Sequence, residues 1–204
     1  MTKLPRSFYL RPTLIVAKDL LGKHFIRIIK GKKLEGRIVE VEAYLGEKDP
    51  ASHTYRGRTQ RNEVMFKKGG HLYVYFTYGM HFCANVVTEA EGIGHAVLIR
   101  ALEPVAGTET MMKNRRTTRQ NDGGQAANET EKRMLTNGPA KLCQAFGIVR
   151  AHNGVDLTGD EIFITEGEPT QDMKILATTR VGIKNGREKK WRFYLAGSSF
   201  ISKK

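Results

Sequence analysis

The segment 72–87, LYVYFTYGMHFCANVV, limits what this chain can fold into more than any other. β-Branched and aromatic residues run on both sides of Gly79, the residue type that supplies the positive φ of a tight reversal. Two strands therefore meet at a tip of Tyr78, Gly79 and Met80. Along the first arm Leu72, Val74 and Phe76 share one face and Tyr73, Tyr75 and Thr77 the other; along the second, Phe82, Ala84 and Val86 alternate with His81, Cys83 and Asn85. A three-residue connection pairs Tyr75 with Cys83 and keeps the two polar rows together, whereas a two-residue loop pairs Tyr75 with Phe82 and mixes the faces. The odd loop is expected. It leaves a tyrosine and a methionine at an exposed tip, where turns ordinarily carry Asn, Asp or Ser.

The rest of the chain supplies a frame for that hairpin. Its 204 residues suit one domain over 1–204 with a single core. The 34 Lys plus Arg against 21 Asp plus Glu give a net charge of +13, which implies a polyanionic partner such as nucleic acid or an anionic membrane surface. The alternative is a basic soluble protein with no such partner. No apolar run is long enough to cross a bilayer, and residues 1–11 lack the apolar stretch of a signal peptide, so a cytoplasmic protein is expected. Cys83 and Cys143 lie in apolar-rich segments and form no metal-ligand pattern, as buried free thiols of a reducing compartment do.

Ahead of the hairpin, Pro12 and Thr13 precede an amphipathic helix in which Leu14, Ile15, Ala17, Leu20 and Leu21 recur at helical spacing until Gly22. Strands over 24–29 and 34–44 follow, joined across Gly31, Lys32 and Lys33. On the second of them Arg37, Val39, Val41 and Ala43 take one face, and Ile38, Glu40, Glu42 and Tyr44 the other. Residues 46–62 are polar and turn-rich, an ordered surface loop of a length that is often functional. After the hairpin, 95–102 (HAVLIRAL) is apolar on both faces and belongs at the centre of a sheet. Arg100 interrupts it, and a buried arginine needs a partner or an anion. Residues 109–119 suit a helix, 120–130 (QNDGGQAANET) a flexible loop, and Pro139 opens a helix that ends near Gly147. EIFITEG, TTRVGIK and WRFYLAG are three short strand candidates. The fold class is α+β: a single domain with a largely antiparallel twisted β-sheet, flanking helices and a protruding β-hairpin.

No GxGxxG, Walker loop, HExxH or GxSxG occurs, which removes the commonest dinucleotide, NTPase, zincin and hydrolase readings. Glu40 and Glu42 admit three readings. They suit the solvent face of an edge strand, a Mg²⁺ site of a nuclease, or a general base that activates water beside Tyr44. The nuclease reading lacks an adjacent lysine and an aspartate partner. His53, Tyr75 and Asn85 are each ordinary alone. Yet Glu42, Tyr44, Tyr75 and Asn85 all fall on polar faces, and aromatics, an amide and a carboxylate together suit a pocket for a nucleobase drawn out of the duplex stack. An exposed Tyr78 and Met80 suit a wedge entering the minor groove; the alternative for Tyr78 is a tip packed on a neighbouring loop.

Five segments carry a resemblance: GRIVEVEAYLG (36–46), MFKKGGHLYVYFTYGMHFCANVV (65–87), LIRALEP (98–104), GPAKLCQAFGI (138–148) and RFYLAGS (192–198). They closely resemble the alkyladenine (3-methyladenine, methylpurine) DNA glycosylase family, from about Leu14 to near the C-terminus. The resemblance implies a monofunctional hydrolase of base excision repair acting on duplex DNA that contains damaged purines; nothing in the sequence suggests an obligate dimer, so a monomer is expected. It would flip an alkylated or deaminated purine and hydrolyse the N-glycosidic bond with an activated water, using no metal or other cofactor. If the source is bacterial, association with the nucleoid is implied. At matching motif positions Glu42 corresponds to the general base, and Tyr44, His53 and Tyr75 to residues that sandwich and contact the flipped base. Tyr78 corresponds to the intercalating wedge, with Met80 a second tip contact. Asn85 matches the residue that excludes purines bearing a 2-amino group, and Arg100 one near the flipped nucleotide and its backbone. Two rival functions stand beside this one: a non-enzymatic DNA-binding module with the same wedge, and the metal-dependent nuclease.

Overall fold

The computed structural model describes residues 2–116, 129–167 and 174–203. In chain order its elements are α1 Arg6–Tyr9, α2 Thr13–Asp19, β1 His24–Ile29, β2 Lys32–Leu45, β3 Leu72–Thr77, β4 His81–Thr88 and β5 His95–Ala106. Then come α3 Thr108–Arg116, α4 Glu129–Thr136, α5 Pro139–Ala145, β6 Ile162–Thr165, β7 Ile175–Thr178 and β8 Arg192–Leu195. All eight strands join one antiparallel sheet in the order β3-β4-β5-β2-β1-β6, with β8 pairing both β2 and β7. The class is α+β. No helix among the described residues is long and apolar enough to cross a membrane.

The fourteen-residue strand β2 is the spine. One edge pairs with β5 along almost its whole length; the other pairs first with β1, through residues 32–37, and then with β8, through residues 40–42. A single edge can serve two partners because the β2–β5 register slips between Ile38 and Val41, and bulges of this kind bend a strand and increase its twist. The same slip corrects the expected alternation. Ile38, Val39, Val41 and Ala43 all join the main apolar cluster, so Ile38 is not on the face of Glu40 and Glu42: an extra residue in a strand reverses the sense of its alternation.

Turn chemistry corrects a second expectation. The β1–β2 connection is the two-residue loop Lys30–Gly31, φ 47° and 76°, and Ile29 pairs with Lys32, so Lys32 and Lys33 belong to the strand. Two positive φ values match the right-handed twist of the flanking strands. At the central hairpin the expected three-residue connection is present, and Tyr75 pairs with Cys83. Tyr78, at φ 50°, shares the left-handed conformation with Gly79 at 68°.

Helix α2 presents Thr13, Val16 and Ala17 to the core, and Leu20 and Leu21 just past its end continue the stripe, while Ile15 is 49% exposed. Val16 therefore replaces Ile15 in the expected stripe. Helices α1 and α4 lie in segments that had not been read as helical, and α3 is described only to Arg116. Of the loop expected at 120–130, residues 120–128 lie outside the described residues and Glu129 and Thr130 open α4. Strand β7 is ILAT rather than TTRVGIK, which leaves 179–184 as a connecting segment. The loop 46–62 is not wholly at the surface: Asp49, Thr54 and Asn62 are buried. Both cysteines are buried and free.

Ile99, on the central strand β5, is fully buried in the main cluster. Ile99→Ala should lower unfolding free energy by about 2–5 kcal/mol through lost burial and a residual cavity. Urea unfolding checks this, and a loss below about 1 kcal/mol would contradict a packed site.

Candidate active site

The sheet brings four residues into one lateral row. Tyr73 pairs with Asn85, Asn85 with Leu98, and Leu98 with Glu42, across β3, β4, β5 and β2. Three of the four line a cavity of about 280 Å³, together with Tyr44, His53, Tyr75, Cys83 and Arg100 and with loop residues Arg61 and Val181. Neighbouring strands lie roughly 5 Å apart, so a row of four spans the width of a purine and its sugar.

Three aromatic rings furnish one side of the cavity. Tyr73 and Tyr75, two residues apart on β3, stack at 5.6 Å between centroids and 27° between planes. His53 meets Tyr75 edge-on at 4.4 Å, and its Nδ1 lies 3.0 Å from the Tyr73 hydroxyl. The histidine is held there from behind. Asn62 donates to the backbone carbonyls of His53, at 2.8 Å, and Gly57, at 3.0 Å, while accepting the Thr59 N–H. Desolvation, and then the positive charge of Arg61, hold the His53 imidazole below its ordinary pKa. Burial pushes the Tyr73 phenol up to about 12 and the Tyr75 phenol higher still.

On the other side, Tyr44 donates its hydroxyl to Glu42 Oε2 at 2.8 Å. Burial and then the adjacent Glu42 charge raise the Tyr44 pKa, so the phenol keeps the proton that it donates. Glu42 has no solvent exposure. Its Oε1 accepts the Val181 N–H at 2.7 Å and lies 3.3 Å from Arg100 Nη1. Glu42 does not itself line the cavity, but Tyr44, Val181 and Arg100 do. The carboxylate thus lies one hydrogen bond behind the wall.

Glu40 is equally buried, which corrects the reading of both glutamates as solvent-facing residues of an edge strand. Its Oε1 accepts from Arg100 Nε at 3.1 Å, Arg192 Nε at 2.6 Å and the Ser202 hydroxyl at 2.9 Å. Glu40 and Glu42 therefore engage arginine, hydroxyl and amide donors, not the open set of oxygens that a divalent cation takes. Arg100, 7% exposed, has the partners that its burial requires. Burial alone would lower its pKa; Glu42 and Glu40 outweigh it and raise the value.

Asn85 is buried, with its Nδ2 donating to the Tyr73 carbonyl at 3.2 Å. At the hairpin tip Tyr78 is 85% exposed and also lines the cavity mouth, while Met80 is 69% exposed and does not line it. Such exposure sets aside a tip packed on a neighbouring loop. The eight residues singled out from sequence thus fall on or beside one cavity, with Met80 at its outer margin.

Sequence reasoning passed over Tyr73, Val181, Arg61 and Cys83 as site residues, and with them the buried pair Arg180–Asp49 behind Tyr44. Cys83 and Tyr73 carried a signal, since alternation put both on the polar rows of the hairpin. Val181 carried none, because TTRVGIK has the composition of a strand.

Fold and cavity together define an α+β protein with one aromatic, carboxylate-backed pocket beside an exposed hairpin tip. Residues 7–199 match the family model described as methylpurine-DNA glycosylase (MPG). A protein of Carboxydothermus hydrogenoformans is 52% identical over 98% of this chain and 99% of its own length. One of Chlorobium luteolum is 48% identical over 100% and 98%, and one of Alkaliphilus oremlandii 47% over 99% and 100%. Each bears the name "Putative 3-methyladenine DNA glycosylase". The chain belongs to the methylpurine-DNA glycosylase family.

An NMR titration tests the electrostatics of the aromatic side. His53 should titrate below the ordinary value of about 6.5, remaining neutral at pH 7. Arg61→Gln should move it part of the way back up, because a nearby cation disfavours the imidazolium. A His53 pKa at or above 6.5 would contradict this geometry.

Proposed function

We propose that the chain is a monofunctional DNA glycosylase that extrudes alkylated or deaminated purines from duplex DNA and hydrolyses their N-glycosidic bond. The observation that carries this reading is the lateral row Tyr73, Asn85, Leu98 and Glu42, which sets a buried carboxylate beside an aromatic pocket of nucleobase dimensions. Membership of the family supports the same reaction class.

In this reading the flipped base enters between Tyr44 and Tyr75, with His53 at its edge. Extrusion costs a few kcal/mol, least for a damaged or mismatched base, so selection begins before the pocket is reached. Purines alkylated at N3 or N7 are cationic and stack well on tyrosine faces. The Asn85 amide excludes purines that carry a 2-amino group. Tyr78 fills the gap left in the helix, with Met80 as a second contact, and Arg100 meets the flipped nucleotide and its backbone while anchored on Glu40.

Bond cleavage then follows from charge. As the glycosidic bond lengthens, its electron pair leaves with the purine and C1′ takes on oxocarbenium character. The Glu42 carboxylate accepts a proton from water as the water oxygen bonds to C1′, and its negative charge favours the cationic sugar. The products are an abasic site and the purine: a cationic purine leaves neutral and the proton on Glu42 passes to solvent, whereas hypoxanthine leaves as its anion and takes up a proton from solvent. No step calls on a metal ion. We assign the acting form as a monomer working wherever duplex DNA is held, the nucleoid if the source is bacterial.

Three measurements bear on this. Hypoxanthine or 3-methyladenine should be excised from duplex oligonucleotide in the presence of EDTA, with strand breakage only after alkali; breakage without alkali, abolished by EDTA, would support a nuclease instead. Under single turnover Glu42→Gln should bind lesion duplex normally and slow excision by about 10² to 10⁴, the usual worth of a general base. Unimpaired cleavage would remove Glu42 from the mechanism. Tyr78→Ser should weaken lesion retention by about tenfold or more, since a stacked aromatic contributes about 1–3 kcal/mol. Undamaged duplex should be affected less, and equal losses would contradict a wedge.

A further inference from the structure

Behind the pocket lies an ion pair that the reaction scheme does not use. Arg180 and Asp49 are 131 residues apart in sequence, and neither side chain has any solvent exposure. The pair is bidentate: Nη1 donates to Asp49 Oδ2 and Nη2 to Oδ1, the latter at 2.7 Å. Nη1 also donates to the Ala43 carbonyl at 2.9 Å. Asp49 in turn accepts the N–H groups of Leu45 at 3.3 Å and Ala51 at 3.2 Å.

Three segments are gathered by this one contact. They are the end of β2, which carries Glu42 and Tyr44; the loop that carries His53; and the connecting segment that carries Val181. The guanidinium lies over the Tyr44 ring at 4.7 Å and over Trp191 at 5.3 Å. Tyr44 lines the cavity and Arg180 does not, so the tyrosine is braced from outside the cavity. One residue further on, the Val181 N–H meets Glu42 Oε1. Further along, Lys189 Nζ donates to the Lys48 carbonyl, a second tie between this segment and the loop. Residues 179–190 form no strand or helix, and Gly182, Lys184, Asn185, Arg187 and Glu188 are exposed.

Burying an ion pair is a poor route to stability alone, because desolvating both charges offsets most of their attraction. What the rigid guanidinium fork supplies is direction. We propose that Arg180, held by Asp49, is a positioning residue that fixes Tyr44 and the Val181 amide on Glu42. It thereby sets the rate of glycosidic cleavage and not the hold on DNA. The inference rests on Glu42 acting as the general base.

The test uses the full chain with a duplex carrying 1,N⁶-ethenoadenine, whose fluorescence reports unstacking of the base. Arg180→Lys keeps the charge and loses the fork; Asp49→Asn keeps the shape and loses the charge, and carries the test if the lysine variant does not fold. Either change should lower the single-turnover excision rate at least 30-fold. Dissociation constants for lesion and undamaged duplex should stay within threefold of wild type, and the fluorescence of the extruded base should persist. In the Glu42→Gln background the same change should cost under threefold more, because groups that act through one another are not additive.

Wild-type excision by Asp49→Asn would overturn the inference. So would parallel losses in rate and lesion affinity, or a loss that adds in full to that of Glu42→Gln. An active Glu42→Gln enzyme would instead defeat the general-base reading on which it rests.

Discussion

A carboxylate with no solvent-exposed surface must be surrounded by donors, and Glu42 meets that demand from three directions. Tyr44 supplies a hydroxyl from two residues along the same strand, Val181 an amide from 139 residues away, and Arg100 a guanidinium from the neighbouring strand. Arg100 is shared with Glu40, which draws in Arg192 and Ser202. Adding Arg180 and Asp49 gives three arginines against three carboxylates, so this region is locally neutral inside a chain of net charge +13. The surplus of positive charge therefore lies elsewhere, free to attract a polyanion.

The sheet turns that electrostatic demand into a shape. Past its bulge, β2 feeds the apolar cluster with Val41 and Ala43, while on the opposite face Glu40 meets Arg192 and Ser202 and Glu42 meets Val181. Register then carries the site sideways, through Leu98 and Asn85 to Tyr73, and along the hairpin to an exposed tyrosine. A tyrosine at φ 50° is strained relative to Asn or Gly, and such strain tends to gather where a side chain must be presented in one direction. The exposed tip, the cavity lining and the buried carboxylate are thus parts of one antiparallel sheet, and a shift of register in any one of these pairings would separate them.

Local rules carried the sequence reading a long way. Alternation alone placed Tyr75 opposite Cys83, an interrupted apolar run marked Arg100 as a residue in need of partners, and Pro139 with Gly147 bounded α5. The failures share a cause, which is that each depended on information from outside its own segment. The bulge that moves Ile38 into the core falls where β2 changes partner from β1 to β8. Ile15 and Val16 are interchangeable by composition, and only the core decides which one is buried. TTRVGIK has the residues of a strand, yet Arg180 is taken by Asp49 and Val181 by Glu42, so the segment becomes a wall of the pocket. No spacing rule links positions 49 and 180. The cleavage chemistry was read through the family's motifs, whereas the hairpin faces followed from the residues themselves.

The central claim is that one cavity both receives the extruded purine and sets Glu42 against its glycosidic bond. The most direct measurement is a crystal structure of Glu42→Gln bound to a duplex containing hypoxanthine. The hypoxanthine should be seated between Tyr44 and Tyr75, with Tyr78 in the vacated stack and residue 42 within one water of C1′. A base still paired in the helix, or a duplex bound on a face away from the hairpin tip, would contradict it.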